Sequence, residues 1–358
     1  MPKIRDSAYY DDAGGYRRAA LDDKLAFFIQ HPVWEGHPEY FMKNGSPKEL
    51  YAISGMTIEN MLRLAGMGQQ AMNVTEGFNY LVEQRARGNV HFISGLYPES
   101  ERKKDPEKEK TRGLLYQGKA GKPLAVVIAG GGFAGVASYV EAIPIAMELH
   151  RRGYSAFVLV YRVNKELHQT EHQAKGEEAA RDVIPAVRWL IDHQKEYGYT
   201  MDGFSMFGFS AGGLMTTAYA FSDYNDCCHR YRLPRPAAIF PIYGLHWEIR
   251  VHDEDKGLAV FSRVGRDDPT GFAAVEDKIP YLKELGITTL ELLPVVEFQE
   301  VMMPENVEGN PYGSSEPTGR LNYWGYTKAG MFAPKASYAD PGMSPVTEFK
   351  YMVRELHP

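Results

Sequence analysis

Between residues 124 and 242, the sequence alternates short, continuous apolar runs with longer amphipathic segments. The apolar runs predict buried strands at residues 124–129, 156–161, 204–207 and 237–242. The segments between them predict helices at residues 141–152, 177–193 and 214–221, with Gly153 as the C-terminal cap of the first. Strands that alternate with helices indicate βαβ units, so we predict an α/β fold whose parallel sheet is covered by helices on both faces. The carboxyl ends of such strands share one edge of the sheet, and we expect the ligand site there.

The segments on either side of this alternating region differ from it. Residues 1–75 are polar and aromatic, with short helices predicted at 21–29 and 58–64. Residues 99–112 are almost all charged and predict a solvated loop, and Glu177 and Asp182 are expected to decorate a helix surface. We therefore expect a partly helical N-terminal extension (1–75), a sheet domain (76–270) and a C-terminal segment (271–358).

Composition narrows the class of protein. Of the 358 residues, 44% are hydrophobic and 24% charged, a balance typical of soluble globular proteins. The net charge of −6 and the lack of a long basic block argue against a nucleic-acid partner. The sequence shows neither a signal peptide nor an apolar run long enough to span a membrane, so we expect a cytoplasmic protein with no membrane partner. The two cysteines, Cys227 and Cys228, are adjacent and cannot form a disulfide framework.

The strongest chemical signal is the motif Gly208-Phe209-Ser210-Ala211-Gly212-Gly213, directly after the strand predicted at 204–207. A serine hydroxyl becomes a nucleophile only when it is exposed, aimed and close to a base. A sharp turn from strand to helix aims it, and the turn requires small neighbours. The N-terminus of the following helix favours a developing negative charge. The context favours a catalytic serine over an ordinary glycine-rich turn.

A second signal is Ala129-Gly130-Gly131-Gly132-Phe133, which follows the strand predicted at 124–129. Acyl transfer builds an oxyanion, and backbone N–H groups already aimed at it lower the barrier. Glycines let the backbone approach closely. The alternative is a phosphate-binding loop, but the G-x-G-x-x-G spacing and its acidic ribose ligand are missing. The oxyanion interpretation is therefore the better one.

Four motifs in order carry a resemblance to a known family: GGGF, FVLVYRV at 157–163, Asp182 with Ala186 and Arg188, and GFSAGG. Over about residues 95–270 the chain resembles the α/β-hydrolase superfamily, and more narrowly bacterial esterases of the acetyl-esterase and acetylxylan-esterase type. The resemblance implies that Ser210 is the nucleophile. It also implies an oxyanion hole formed by the N–H groups of Ala211 and of Gly131 or Gly132. Family members often carry a histidine before the glycines, where this chain has Ala129.

In this superfamily the acid and the histidine follow the serine in that order. Asp267 or Asp268 is the expected acid, with an exposed acidic turn as the alternative. After Asp268 the sequence contains one histidine, His357, next to the last residue. His229, His246 and His252 precede the acid, so each would require a rearranged order. The base is therefore not at its expected place.

From residue 276 the sequence is similar to the start of the catalytic barrel in family 13 glycoside hydrolases, the α-amylase, isoamylase and pullulanase group. The similarity lies in residues 277–298, 322–326, 332–342 and 348–357. A complete barrel needs about 250 residues, so independent amylase activity is not expected. We predict helices at 276–285 and 346–356, and a strand at 288–294 that would complete the esterase sheet.

The sequence supports one main hypothesis and two alternatives. The main hypothesis is a serine hydrolase that cleaves small, acetyl-type carboxylic esters, including acylated carbohydrate. The alternatives are a catalytically impaired hybrid of esterase and amylase fragments, and a glycan-binding remnant built on Tyr323, Trp324 and Tyr326. No cofactor or metal is expected, because His168 and His172 have no third ligand at a telling spacing. The oligomeric state stays open.

Overall fold

The structure of the protein is a computed structural model. It describes residues 6–44, 53–64, 70–163, 181–221, 227–242, 258–260, 271–284, 290, 292, 295–297, 333–339 and 344–357. The chain divides into two compact units, Met1–Leu258 and Ala259–Pro358. The domain boundary predicted after residue 75 falls within a helix. The domain boundary predicted after residue 270 lies next to residues that are outside the described ranges. Both boundaries stay predictions.

A mixed sheet forms the centre of the first unit. The strands of the described chain are β1 (Lys43–Asn44), β2 (Val90–Ile93), β3 (Arg112–Tyr116), β4 (Pro123–Ile128), β5 (Gly135–Val136), β6 (Ser155–Val160), β7 (Thr200–Phe209), β8 (Ala238–Ile242) and β9 (Ala259–Val260). Within the first unit, six of them lie in the order β2-β3-β6-β4-β7-β8. Strands β6, β4, β7 and β8 are parallel, whereas β2 and β3 are antiparallel to their neighbours. β1 and β5 pair as a separate antiparallel ribbon.

Burial explains why the central strands form. Residues 124–128 of β4 are at most 3% exposed, and every residue of β6 is buried. Because successive side chains of a strand point to opposite faces, both faces of the sheet are covered. The predicted α/β fold class is confirmed. The expectation of a parallel sheet holds for its centre but is wrong at the β2–β3 edge, because those strands lie outside the alternating region that gave the prediction.

Helices of the first unit pack on this sheet and lead the chain from strand to strand, and further α-helices form in the second unit. The α-helices are α1 (Leu25–Ile29), α2 (Ile58–Leu64), α3 (Ala71–Ala86), α4 (Glu99–Lys104), α5 (Ala142–Arg151), α6 (Val183–Tyr197), α7 (Ala211–Ala220), α8 (Cys227–Arg230), α9 (Gly271–Glu284) and α10 (Pro345–Leu356). Gly153 has φ 82° directly after α5, which confirms the predicted left-handed cap. The helix predicted at 58–64 has the bounds of α2, and the one at 21–29 is shortened to α1.

The charged segment at 99–112 is not the predicted loop. It forms α4 and then a 3₁₀ helix, Pro106–Lys110. Lys103 pairs with Glu99 within α4 at 2.7 Å, and Lys108 pairs with Glu101 across the two elements at 2.6 Å. Opposite charges one turn apart stabilise a helix, so a highly charged segment can fold as a helix at the surface instead of a loop.

The N-terminal segment carries a cluster of buried aromatic side chains. Trp34 is 1% exposed, and its indole N–H donates to the Phe28 carbonyl at 2.6 Å. Phe41 packs on Phe78 of α3 at 5.8 Å between ring centroids, and Tyr40 stacks on Phe92 of β2 at 4.7 Å. The segment is therefore packed against α3 and β2.

The second unit is described mainly through α9, the 3₁₀ helix Ala336–Tyr338 and α10. Phe272 of α9 packs on Phe349 of α10, with ring centroids 5.3 Å apart. These helices confirm the ones predicted at 276–285 and 346–356. Of the strand predicted at 288–294, the structure describes Leu290 and Leu292, and both are partly exposed and outside any strand. The prediction that this strand completes the sheet is therefore wrong at these two residues, because their side chains are not buried between strands.

Candidate active site

Ser210 lies between the end of β7 and the start of α7. Its backbone has φ 47° and ψ −116°, a conformation that costs a non-glycine residue about 1–3 kcal/mol. Two hydrogen bonds fix it: the Ser210 N–H donates to the Ile242 carbonyl at 2.9 Å, and the Ser210 carbonyl accepts from the Leu214 N–H at 3.1 Å. The end of β8 and the first turn of α7 thus hold the serine in the strained turn.

The glycines of the motif are required by close packing. A Cβ atom on Gly208 would lie 2.3 Å from the carbonyl oxygen of Gly212. A Cβ on Gly212 would lie 2.1 Å from the carbonyl oxygen of Ile128, at the end of β4. The strand, the turn and the helix can approach this closely only without side chains.

The glycine loop after β4 lies against the serine. A Cβ on Gly130 would lie 2.8 Å from Ser210 Cβ and 2.7 Å from the carbonyl oxygen of Phe209. Gly131 has φ 133° and is exposed, and Gly132 has φ 57° and is partly exposed. The structure therefore brings together the two motifs that the sequence singled out.

Ala211, the remaining residue expected at the oxyanion hole, is the first residue of α7. The N–H groups of a helix's first turn have no partner within the helix, so they point toward the region in front of it. Ala211 is 3% exposed. The roles of Ser210, Gly131, Gly132 and Ala211 in catalysis stay predictions.

The glycine loop is held by Glu141, a residue that the sequence analysis did not single out. Glu141 Oε2 accepts a hydrogen bond from the Gly130 N–H at 2.6 Å. Burial, and then the Glu141 carboxylate, raises the pKa of Tyr139 to about 12. In the sequence, Glu141 appeared only as the first residue of a predicted helix, and no local signal pointed to this contact.

Lys43, from the N-terminal segment, forms a second support. Lys43 pairs with Val136 in the β1–β5 ribbon, next to the glycine loop. Its ammonium group donates to the Tyr161 carbonyl at 2.6 Å and to the Lys110 carbonyl at 3.1 Å. Burial lowers the pKa of Lys43 to about 8, although Asp182 and Glu39 oppose this shift. A prediction from sequence could not place this distant lysine here.

The sequence predicted that Asp182 lies on the surface of a helix. In the structure, Asp182 is buried, with 3% of it exposed. Its carboxylate accepts from the Arg162 N–H at 2.6 Å, the Arg162 Nε–H at 2.9 Å and the Tyr97 hydroxyl at 2.7 Å. Burial, and then Asp182, raises the pKa of Tyr97. The carboxylate therefore ties the end of β6 to the start of α6, one strand away from the glycine loop.

The predicted acid and base lie largely outside the described residues. This holds for Asp267, Asp268, His246 and His252, for the side chain of His229, and for the aromatic trio Tyr323, Trp324 and Tyr326. The predicted strand at 204–207 and helix at 214–221 are confirmed as parts of β7 and α7. His357 is exposed and directly follows α10. The triad beyond Ser210 stays a prediction.

The described residues also bear on metal binding and on membrane insertion. No group of three or more histidine, cysteine, aspartate or glutamate side chains in the described part of the chain could hold a metal ion. Among the helices that the structure describes, none has the length and apolar character needed to cross a bilayer.

Comparisons with known proteins agree with the two resemblances. Residues 115–238 match the BD-FAE family model, so this part of the chain, which includes both motifs, is similar to that family. The chain is 37% identical to "Isoamylase 3, chloroplastic" of Oryza sativa subsp. japonica over 131 residues, which are 36% of this chain and 15% of that protein. It is 35% identical to "Isoamylase 1, chloroplastic" of Arabidopsis thaliana over 94 residues, 25% of this chain and 11% of that protein.

Solved structures of esterases are also similar. A thermophilic esterase from Thermogutta terrifontis has 16% identity and a TM-score of 0.41, over 57% of this chain and 81% of that chain. An acetyl ester-xyloside bifunctional hydrolase from Caldicellulosiruptor lactoaceticus has 21% identity and a TM-score of 0.38, over 56% of this chain and 84% of that chain. The sheet and the strained serine turn define an α/β-hydrolase-like fold, and both resemblances inferred from the sequence are confirmed.

Proposed function

We propose that the protein is a serine hydrolase that cleaves small, acetyl-type carboxylic esters, with Ser210 as its nucleophile. The observation that carries the proposal is the strained backbone of Ser210, held with its Cβ close to Gly130 of the glycine loop. Strain at one residue between a strand and a helix persists only where the surroundings enforce it, and it is typical of functional sites.

In the proposed reaction, Ser210 Oγ attacks the ester carbonyl carbon and gives up its proton to a base. The N–H groups of Ala211 and of Gly131 or Gly132 hold the oxyanion. The bond to the alcohol oxygen then breaks, and the alcohol leaves with the proton. Water hydrolyses the acyl–serine ester by the same steps, which releases the carboxylic acid and restores the serine. Asp267 or Asp268 would orient the base.

The substrate proposal extends to acyl groups on carbohydrate. It is supported by the partial matches to isoamylases, from which we infer that one segment of this chain is related to carbohydrate-acting proteins. No independent amylase activity is proposed, since the chain spans 11–15% of the length of those relatives.

The test is hydrolysis of p-nitrophenyl acetate and of acetylated xylose by the purified protein, beside Ser210→Ala and Ser205→Ala. Ser205, in strand β7, which ends just before Ser210, is the matched control. We expect Ser210→Ala to lower kcat about a thousandfold or more, while Ser205→Ala stays near the wild type. A fluorophosphonate probe should label the wild type and not Ser210→Ala. Equal background rates in all three proteins would reject the proposal.

The second candidate is the impaired hybrid, which the sequence position of His357 favours. The activity of the wild type separates the two candidates, and His357→Ala tests whether that histidine is the base of an active enzyme. If His357 is the base, its loss lowers kcat by orders of magnitude without loss of folding. Wild-type protein that turns over no ester and reacts with no fluorophosphonate would instead establish the impaired hybrid.

A further inference from the structure

We propose that Glu141 is a positioning residue for the oxyanion hole, acting on the glycine loop through the N–H of Gly130. The inference rests on the proposed function, since it assigns a role within the same site. Glu141 contacts the loop and not the ester. The following observations carry it.

First, the bond is direct and of a strong type. Glu141 Oε2 lies 2.6 Å from the Gly130 nitrogen. Hydrogen bonds from backbone N–H groups to carboxylates are shorter and about twice as strong as those between neutral groups. Gly130 is buried, so loss of the acceptor would remove the partner of a buried N–H, which is costly.

Second, the bond acts at the point where the loop meets the nucleophile. The position that a Cβ would take on Gly130 is 3.2 Å from Glu141 Oε2 and 2.8 Å from Ser210 Cβ. The Gly130 peptide is therefore held between the carboxylate and the serine. A rotation of the Ala129–Gly130 peptide, which carries this N–H, would shift the Gly130 Cα and with it the next peptide, which carries the Gly131 N–H.

Third, the rest of the loop is already closed by its own backbone. The Gly131 carbonyl accepts from the N–H groups of Ala134 and Gly135, both at 3.0 Å, and the Gly130 carbonyl accepts from Ala137 at 3.0 Å. These bonds fix the carbonyl side of the two glycines. The hydrogen bond to Glu141 fixes the N–H group of Gly130 in the same way, at the start of the glycine loop.

The experiment distinguishes the effect of the hydrogen-bond acceptor on residue 141 from the effect of its negative charge. Glu141→Gln keeps a side-chain carbonyl that can accept the Gly130 N–H, whereas Glu141→Leu removes the acceptor at similar size. Glu148→Leu is the matched control, since Glu148 lies on α5, the helix that Glu141 directly precedes, and pairs with Arg151 and Arg152 at the surface. For each protein, kcat and KM for p-nitrophenyl acetate are measured, together with amide hydrogen exchange of the peptide spanning 129–136.

We expect Glu141→Leu to lower kcat about ten- to a hundredfold with KM within about twofold, since small displacements of catalytic groups have effects of this size. We expect faster exchange in residues 129–136 of the same variant. Glu141→Gln and Glu148→Leu should stay within about threefold of the wild-type kcat, with wild-type exchange. A normal kcat in Glu141→Leu, or a kcat in Glu141→Gln as low as in Glu141→Leu, would overturn the role.

Hydrogen exchange keeps this test distinct from that of the proposed function. If the wild type turns over no ester, the serine hydrolase proposal fails by itself. The exchange data then still decide whether Glu141 orders the glycine loop. Unchanged exchange in Glu141→Leu would overturn that ordering whatever the activity.

Discussion

Single residues of the serine turn are fixed by contacts that leave no room for one more carbon atom. Ser210 adopts a left-handed φ of 47°, and the glycines on either side let β7 and α7 approach each other closely. Gly212 is the tighter of Gly208 and Gly212, since a Cβ on Gly212 would lie 2.1 Å from a backbone atom of β4, whereas a Cβ on Gly208 would lie 2.3 Å from the nearest backbone atom. The Gly-x-Ser-x-Gly spacing is therefore a packing requirement of this turn.

At this scale we predict that Gly212→Ala lowers the free energy of unfolding by about 3 kcal/mol. The new Cβ would lie 2.1 Å from the Ile128 carbonyl oxygen, so β4 and α7 would have to separate. Urea unfolding followed by tryptophan fluorescence measures the change.

Gly55→Ala serves as its control. Gly55 is exposed, and a Cβ there would meet no atom within 4 Å. We expect its stability to stay within about 0.5 kcal/mol of the wild type. Equal stabilities for the two variants would contradict the packing argument.

At the scale of elements, the glycine loop is supported by a strand from the N-terminal segment. β1 pairs with β5, and the Tyr139 N–H donates to the Phe41 carbonyl at 2.9 Å. The partly buried Lys43 ammonium donates hydrogen bonds to two carbonyl groups. A residue far from the motifs in sequence therefore stabilises the element that carries one of them.

We predict that Lys43 makes the stability of the protein depend on pH in the alkaline range. The pKa of Lys43 is about 8 in the folded chain and 10.5 without burial, so between these values the unfolded chain binds a proton that the folded chain does not. The free energy of unfolding of the wild type should therefore rise from pH 8 to 10.5, by about 3 kcal/mol relative to Lys43→Met.

Denaturant unfolding at several pH values tests this, with Lys119→Met, at an exposed lysine, as the control. The Lys119→Met curve should run parallel to that of the wild type. A constant difference between the wild type and Lys43→Met across the range would show that Lys43 titrates normally.

At the scale of the whole molecule, the N-terminal segment is held to the rest of the first unit by an aromatic core that contains the imidazole ring of His31. His31 is 2% exposed and packs edge-on to Tyr9, Phe27 and Phe78, with ring centroids 5.1–5.4 Å apart. Its Nδ1 accepts from the Val33 N–H at 3.2 Å, so the neutral ring carries its proton on Nε2. Burial, and then Arg17, lowers the pKa of His31 to about 4.

The pH dependence of folding follows from this shift. The pKa of His31 in the folded chain lies below its ordinary value of 6.5. The neutral ring therefore contributes its full stabilisation of the folded chain above pH 6.5, and this stabilisation is lost as the pH falls toward 4. We predict that the wild type loses about 3 kcal/mol over this interval relative to His31→Gln. His37→Gln, at a histidine whose side chain is 46% exposed, should follow the wild type in acid unfolding experiments. Parallel curves for the wild type and His31→Gln would refute the assignment.

The central strands and the serine motif could be predicted because their signals are local. Apolar runs gave β4, β6, β7 and β8, and the glycines around Ser210 gave the turn that the structure shows. The edge strands β2 and β3 were missed because their pairing depends on partners distant in sequence. The charged stretch at 99–112 was predicted as a loop because composition alone does not show how charges pair within a turn.

The sequence by itself determined the α/β fold, the order of its central elements and the position of Ser210 at a strand–helix turn. These features depend on hydrophobic periodicity and on steric contacts of the turn residues, both of which involve residues close together in the sequence. Only the tertiary structure decided what supports the glycine loop. Glu141, Lys43 and the buried Asp182 look like ordinary charged residues in the sequence. Their partners come from other elements, and burial, which a sequence pattern does not report, makes those contacts strong.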